Sequence, residues 1–301
     1  MAENHSKIMN DHHKDNVHAM VWRHVVAGAG SGWMTSLITC PLDVIKVRLQ
    51  SNPSLSLPSH PSALLRRVWK REGIRGFYRG LGLTMVGYLP SFSIYFPAYH
   101  QCKVAIAKQR GTNQQTDPVA HLLSAIIAGT ITNVTTNPLW VIRTRLMTQH
   151  IMKEPLLYRG SFDAFCSILT TEGIRGLYKG ASVSVIGVLH VAVQFPTYEW
   201  LKRCLSNPGD PPSTWNIFLA STMSKVLAST ITYPHEIIRT RLQIQRNAFP
   251  KYSGVLDACR KIWWEEGWRG FYRGLQVNVL RVIPASGVTF VTYETILKYY
   301  S

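Results

Sequence analysis

The chain has 301 residues and a net charge of +17, yet only 16% of its residues are charged. A soluble globule carries roughly a quarter charged residues, and a nucleic-acid binder gathers its bases on one surface among many other charges; here basic blocks alternate with long uncharged stretches. The five cysteines (Cys40, Cys102, Cys166, Cys204 and Cys259) are scattered without a CxxC pair, so they read as structural thiols, with no disulfide framework and no metal site.

Residues 1–20 are polar, with His5, His12, His13 and His18 among Lys and Asp, and are predicted to be a disordered tail. Glu3, Asp11 and Asp15, and the lack of arginine before Arg23, make it a poor transit peptide. Between Arg23 and Asp43 lie 19 residues without Lys, Arg, Asp or Glu, and residues 80–102, 118–142 and 180–198 are equally free of them. Residues 213–235 and 275–296 complete the set, with Lys225 and Arg281 well inside. A bilayer span needs about 20 mostly apolar helical residues, so six spans are predicted. Gly28, Gly30, Gly32, Ser36, Thr130, Asn133, Thr135, Ser221, Ser224 and Ser229 dilute them. Small residues permit close helix packing in lipid and polar ones face protein or water, which predicts a wet cavity. A soluble helical solenoid would need a charged outer face on every turn, which is missing here.

The spans belong to a repeat. Three stretches, Pro41 to Gln50, Pro138 to Leu146 and Pro234 to Gln243, share one proline–acid–base pattern, their prolines 97 and 96 residues apart (138 − 41, 234 − 138). A second shared phrase follows each, at Glu72 to Gly80, Glu172 to Gly180 and Glu266 to Gly274. A fixed period of this length is a triplicated unit, divided as 21–116, 117–211 and 212–301. Each odd span ends in a proline that bends its helix. An acid and a base three residues apart then share one helix face. Three such ends around an axis predict a ring of acid–base pairs closing a cavity floor.

Over nearly its whole length after about residue 20, the chain resembles the mitochondrial carrier family. The resemblance implies an all-α membrane protein: three tandem repeats, six transmembrane helices in a pseudo-threefold bundle, and short matrix helices. It also implies a central site opened alternately by two salt-bridge gates. In the matrix gate, family pairing joins Asp43 to Arg143 and Glu236 to Lys46, while Trp140 replaces the third acid and leaves Arg239 without a carboxylate. Gln50 and Gln243 match the family's bracing glutamine; Met147 does not. In the cytosolic gate, Glu199 and Lys202 match the motif, His100 replaces an acid and Leu297 a base, so Glu294 with Lys103 is the one charged pair left.

Trp140 in its context resembles the branch that carries folate, FAD, pyrimidine nucleotides and NAD. The phrases from Gly87 to Phe96, Leu189 to Glu199 and Tyr233 to Arg241 look like the mitochondrial NAD carriers. The resemblance therefore implies a multi-pass protein of the inner mitochondrial membrane that exchanges NAD for an adenine nucleotide, as a monomer in a cardiolipin-containing bilayer. Chloroplast or peroxisomal relatives leave the organelle open.

For the site itself, Lys225 and Arg281 are bases inside spans with no interior acid foreseen for them, and a charge in the membrane marks a functional site. Two bases suit a pyrophosphate, Arg by bidentate contact. The family alignment places Gly187 and Val188 at a contact level where glycine lets a flat ring approach the backbone. Tyr88, Ser91, Tyr95, His190, Gln194 and Asn133 are further predicted cavity residues. No Walker loop, zincin motif or flanked nucleophile is present, and Gly28 to Gly32 follows no strand. No enzyme activity, cofactor or nucleic-acid partner is expected; a non-transporting membrane scaffold is the alternative from another class.

Overall fold

The computed structural model describes residues 30–51, 60–111, 117–149, 158–206, 213–246 and 250–299; the predicted tail lies outside them. Among the described residues all regular structure is helical. Helix α1 covers 30–50, followed by α2 (Pro61–Phe77), α3 (Leu81–Arg110), α4 (Pro118–Thr148), α5 (Ser161–Leu177), α6 (Ala181–Val188), α7 (His190–Leu205), α8 (Thr214–Ile244), α9 (Val255–Glu266), a 3₁₀ turn (Trp268–Tyr272) and α10 (Leu275–Tyr299). Helices α6 and α7 form one span interrupted at Leu189, whose N–H bonds to the Ile186 carbonyl at 3.0 Å in a tightened turn.

The fold is an all-α membrane bundle of three repeats. The spans Val119–Thr148 and Ala181–Leu205 are long and apolar enough to cross a membrane by length and composition alone. The others are diluted by inward-facing polar side chains; on α1, Ser36, Thr39, Asp43 and Lys46 are all buried. Their outer faces are apolar and uncovered, as with Leu123, Ile127 and Ile131 on α4 and Met223, Leu227 and Ile231 on α8. Apolar belts of this extent call for lipid.

Helices α2, α5 and α9 are amphipathic and pack against the C-terminal ends of α1, α4 and α8. Leu64 and Val68 meet Ile45 and Leu49; Ala164 and Ile168 meet Ile142 and Leu146; Ala258 and Ile262 meet Ile238 and Leu242. Each cluster also takes one residue from the preceding repeat's even helix. Leu83 joins the second, Val183 the third, and Val277 returns to the first. The hydrophobic packing thus runs in a closed circle.

A polar ring reinforces that circle. Arg48, Arg145 and Arg241 are 1–3% exposed. Each holds both carboxylate oxygens of Glu72, Glu172 or Glu266 respectively. Their Nε atoms donate to carbonyls of the next repeat: Arg48 to Met147 (2.9 Å), Arg145 to Gln243 (3.0 Å) and Arg241 to Gln50 (3.2 Å). Arg79, Lys179 and Arg273 approach the same three carboxylates. The shared Glu–Gly phrase is the local condition for this geometry. Its first glycine turns the chain at φ 61°, 68° and 64°, which disfavours side chains. At its second, a β-carbon on Gly76, Gly176 or Gly270 would lie 2.5–2.7 Å from the β-carbon of the phrase's own glutamate.

Burial pushes the Glu172 carboxyl up, but hydrogen bonds from Arg145 and Lys179 outweigh it and hold the group below the ordinary carboxylate range. A depressed folded pKa contributes stability above the unfolded value of about 4.3, and that stability is lost as pH falls through the folded value. Glu172→Gln strands two cations, so it is expected to lower stability by about 3–5 kcal/mol at neutral pH. It should also flatten the acid limb of the melting temperature against pH. A variant melting like wild type at pH 7 would contradict this account.

Candidate functional site

The odd-helix motifs converge at the floor of the bundle. Arg143 Nη2 lies 2.9 Å from Asp43 Oδ2, and Glu236 binds Lys46, whose Nζ also donates to Asn278 at 2.8 Å. Arg281 Nη1 takes the other Asp43 oxygen at 2.9 Å. The expectation that Arg281 has no interior acid is therefore corrected: counting from Gly274 brings it to the depth of the floor, where one carboxylate serves two guanidiniums.

Three even-helix positions stand seven residues after their glycines Gly80, Gly180 and Gly274, and each meets a floor residue. A β-carbon on Gly87 would lie 3.9 Å from the Trp140 indole, and one on Gly187 only 2.7 Å from Nε2 of His235; Arg281 meets Asp43. The open face of Gly187, foreseen as a place for a flat ligand ring, is filled by the His235 imidazole in this conformation. Val188 is buried and lies 3.1 Å from the position of a β-carbon on Gly129, so it packs between helices rather than lining the cavity.

Above the floor lies a cavity of about 540 Å³. Of the foreseen residues it gathers Tyr88, Ser91, Tyr95 and Asn133, together with Trp140, Arg143, Glu236, Arg239, Gln50 and Gln243. His190, Lys225 and Arg281 are not among its lining residues. Gln194 is half-buried on α7, away from the cavity lining. Toward the mouth, Lys103 and Lys202 rest over their own tyrosines, 5.9 Å from the Tyr99 ring and 5.8 Å from Tyr198. Glu199 is exposed, and the side chain of Glu294 lies outside the described residues.

Phe92 and Phe96 were not foreseen as cavity residues. They extend Tyr88 into a ladder of stacked rings along α3, with centroids 6.0 Å (Tyr88–Phe92) and 5.8 Å (Phe92–Phe96) apart. Aromatic residues at i, i+4 and i+8 were the available signal. The glutamine partners were also missed. Gln50 accepts from Thr240 at 3.0 Å and donates to Tyr233 at 3.0 Å; Gln243 accepts from Thr144 at 2.9 Å. The corresponding third pair is Val47 with Met147, packed with Cys40 and Val44. Both members are apolar together, so no amide is stranded.

A triplicated helical bundle around an amphiphilic cavity, closed at one end by ion pairs between repeats, has the architecture of a membrane carrier. The mitochondrial carrier protein family matches the chain three times, over residues 17–110, 114–209 and 210–301, and the chain belongs to that family. It is a transporter, not an enzyme. Nicotinamide adenine dinucleotide transporter 2, mitochondrial, of Arabidopsis thaliana is 41% identical over 290 residues, covering 91% of this chain and 78% of the relative. Mitochondrial nicotinamide adenine dinucleotide transporter 1 of Saccharomyces cerevisiae is 38% identical, covering 89% and 74%. Folate transporter 1, chloroplastic, of Arabidopsis thaliana is 36% identical, covering 92% and 95%.

The Val47–Met147 seam is open to a double-mutant test. Met147→Gln alone places an amide opposite valine and is expected to cost about 1–3 kcal/mol. Adding Val47→Thr supplies the hydroxyl that the other two seams use and should recover part of that loss. Thermal unfolding of the two single variants and the double variant measures the coupling; strict additivity would show that the third seam is not equivalent to the others.

Proposed function

We propose that this carrier resides in the inner mitochondrial membrane and imports NAD in exchange for an adenine nucleotide by alternating access. One observation supports this above the rest. The floor holds four bases (Lys46, Arg143, Arg239 and Arg281) against two acids (Asp43 and Glu236), an excess of two positive charges beneath an aromatic cavity. Such an excess inside a membrane is costly unless an anion answers it. A dinucleotide supplies about two negative charges on its pyrophosphate, in the geometry guanidinium groups bind. Its flat rings suit the Tyr88–Phe92–Phe96 ladder. The NAD transporters among the relatives agree with this chemistry. Cardiolipin remains the expected lipid partner and a monomer the working unit.

Uptake of labelled NAD into proteoliposomes loaded with ADP, AMP or buffer tests the reading. Exchange-dependent NAD uptake is expected, and its absence under every loading, with uptake of UTP, FAD or folate instead, would replace NAD as substrate. Lys225→Ala and Arg281→Ala are each expected to cut exchange sharply while leaving the protein folded, since Asp43 keeps Arg143. Normal exchange by both would assign these bases to structure.

The gates bear on the resting state. Three ion contacts close the floor, Lys46–Glu236, Arg143–Asp43 and Arg281–Asp43, and at the mouth Lys103 and Lys202 lie on tyrosines, so the empty carrier is read as open to the cytosol. His100→Asp offers Lys202 a partner. The added pair, on the order of 1 kcal/mol, is expected to shift the population toward the matrix-open form about fivefold. Labelling of single cysteines from each side reports the shift, and unchanged labelling would remove pair counting as the explanation.

A further inference from the structure

At two vertices of the floor an acid follows the proline by two residues; at the third stands Trp140. That replacement changes the status of Arg239. It lines the cavity and forms no ion pair among the described residues; Glu236, which lines the same cavity, is already held by Lys46. Trp140 offers no substitute: its Nε1 donates to Thr136 at 3.0 Å, and its ring faces Arg143, whose guanidinium carbon is 5.6 Å from the ring centre. Nearby donors are in surplus as well, since Arg143 Nε and Gln243 Nε2 are buried without a partner among the described residues. The third vertex therefore lacks an acceptor, and it lacks it on the cavity side, where a solute arrives.

We propose that Arg239 is a phosphate-binding residue, and that the phosphate oxygens of the transported nucleotide occupy at this vertex the place a carboxylate holds at the other two. The proposal rests on the reading of the chain as a nucleotide carrier and deepens it: the substrate completes the floor. The geometry suits a ring joined to a phosphate. The aromatic ladder of α3 ends at Tyr88, the indole of Trp140 abuts the next residue, Gly87, and Arg143 and Arg239 border the same end of the cavity. An empty floor has two linked vertices and a loaded floor three. Phosphate binding therefore answers the vertex that is otherwise open, whereas an adenosine without phosphate leaves it as it was.

The test uses the full chain, in proteoliposomes for transport and in detergent for melting temperature. NAD is expected to raise the melting temperature of the wild type and adenosine to leave it unchanged. Arg239→Gln is expected to raise the KM for NAD about 10- to 100-fold, and Arg239→Lys less. Trp140→Glu and Trp140→Gln remove the same indole, but only the first gives Arg239 a carboxylate. Without substrate, Trp140→Glu is therefore expected to melt higher than Trp140→Gln and to gain less from NAD. An unchanged KM in Arg239→Gln, or identical behaviour of the two Trp140 variants, overturns the proposal; if Arg239→Gln does not fold, the Trp140 pair decides alone. A wild type that transports no NAD or other nucleotide instead overturns the functional reading itself.

Discussion

Everything at the floor depends on three buried arginines. Arg48, Arg145 and Arg241 each clamp a glutamate of their own repeat and donate to a backbone carbonyl of the next. A buried ion pair gains little over an apolar pair of the same shape, but losing one partner is expensive. The ring therefore acts less as a source of stability than as a constraint. It sets where the ends of α1, α4 and α8 lie relative to one another, and so holds Asp43 near Arg143 and Glu236 near Lys46.

Symmetry ends where the side chains turn inward. The arginine–glutamate clamps repeat three times, as do the hydrophobic clusters beneath them. One helical turn closer to the cavity the repeats diverge. Two seams use threonine with glutamine and the third valine with methionine; two vertices carry acids and the third an indole. One carboxylate serves two guanidiniums while Arg239 has none among the described residues. A symmetric frame can hold such differences because its own contacts do not involve them. An asymmetric solute in turn requires them, since a threefold cavity has no way to tell a base from a phosphate.

The departures also compensate locally. Met147 is wholly buried, and a glutamine there would meet Val47 with a stranded amide. Trp140 keeps its N–H satisfied through Thr136 and offers its face to Arg143, which Asp43 already holds. Among the described residues Arg239 is left without a carboxylate, on the cavity side where water and solute have access.

The sequence by itself determined the repeat and the spans, through a period of about 97 residues, and placed an acid and a base on one helix face at each floor vertex but the second; the pairing of Asp43 with Arg143 and Glu236 with Lys46 was implied by the family resemblance. Tyr88, Ser91, Tyr95 and Asn133 were legible for a similar reason, as polar or aromatic residues in otherwise apolar spans. The tertiary structure alone decided that Arg281 shares Asp43, that His235 fills the open face of Gly187, that Val188 packs on Gly129, and that Val47 pairs with Met147. These contacts join residues from 48 (235 − 187) to 238 (281 − 43) positions apart in the chain, and no local spacing encodes the depth at which one helix meets the next. That depth is set by the arginine ring, whose parts are visible in each repeat but whose closure exists only when the three are folded together.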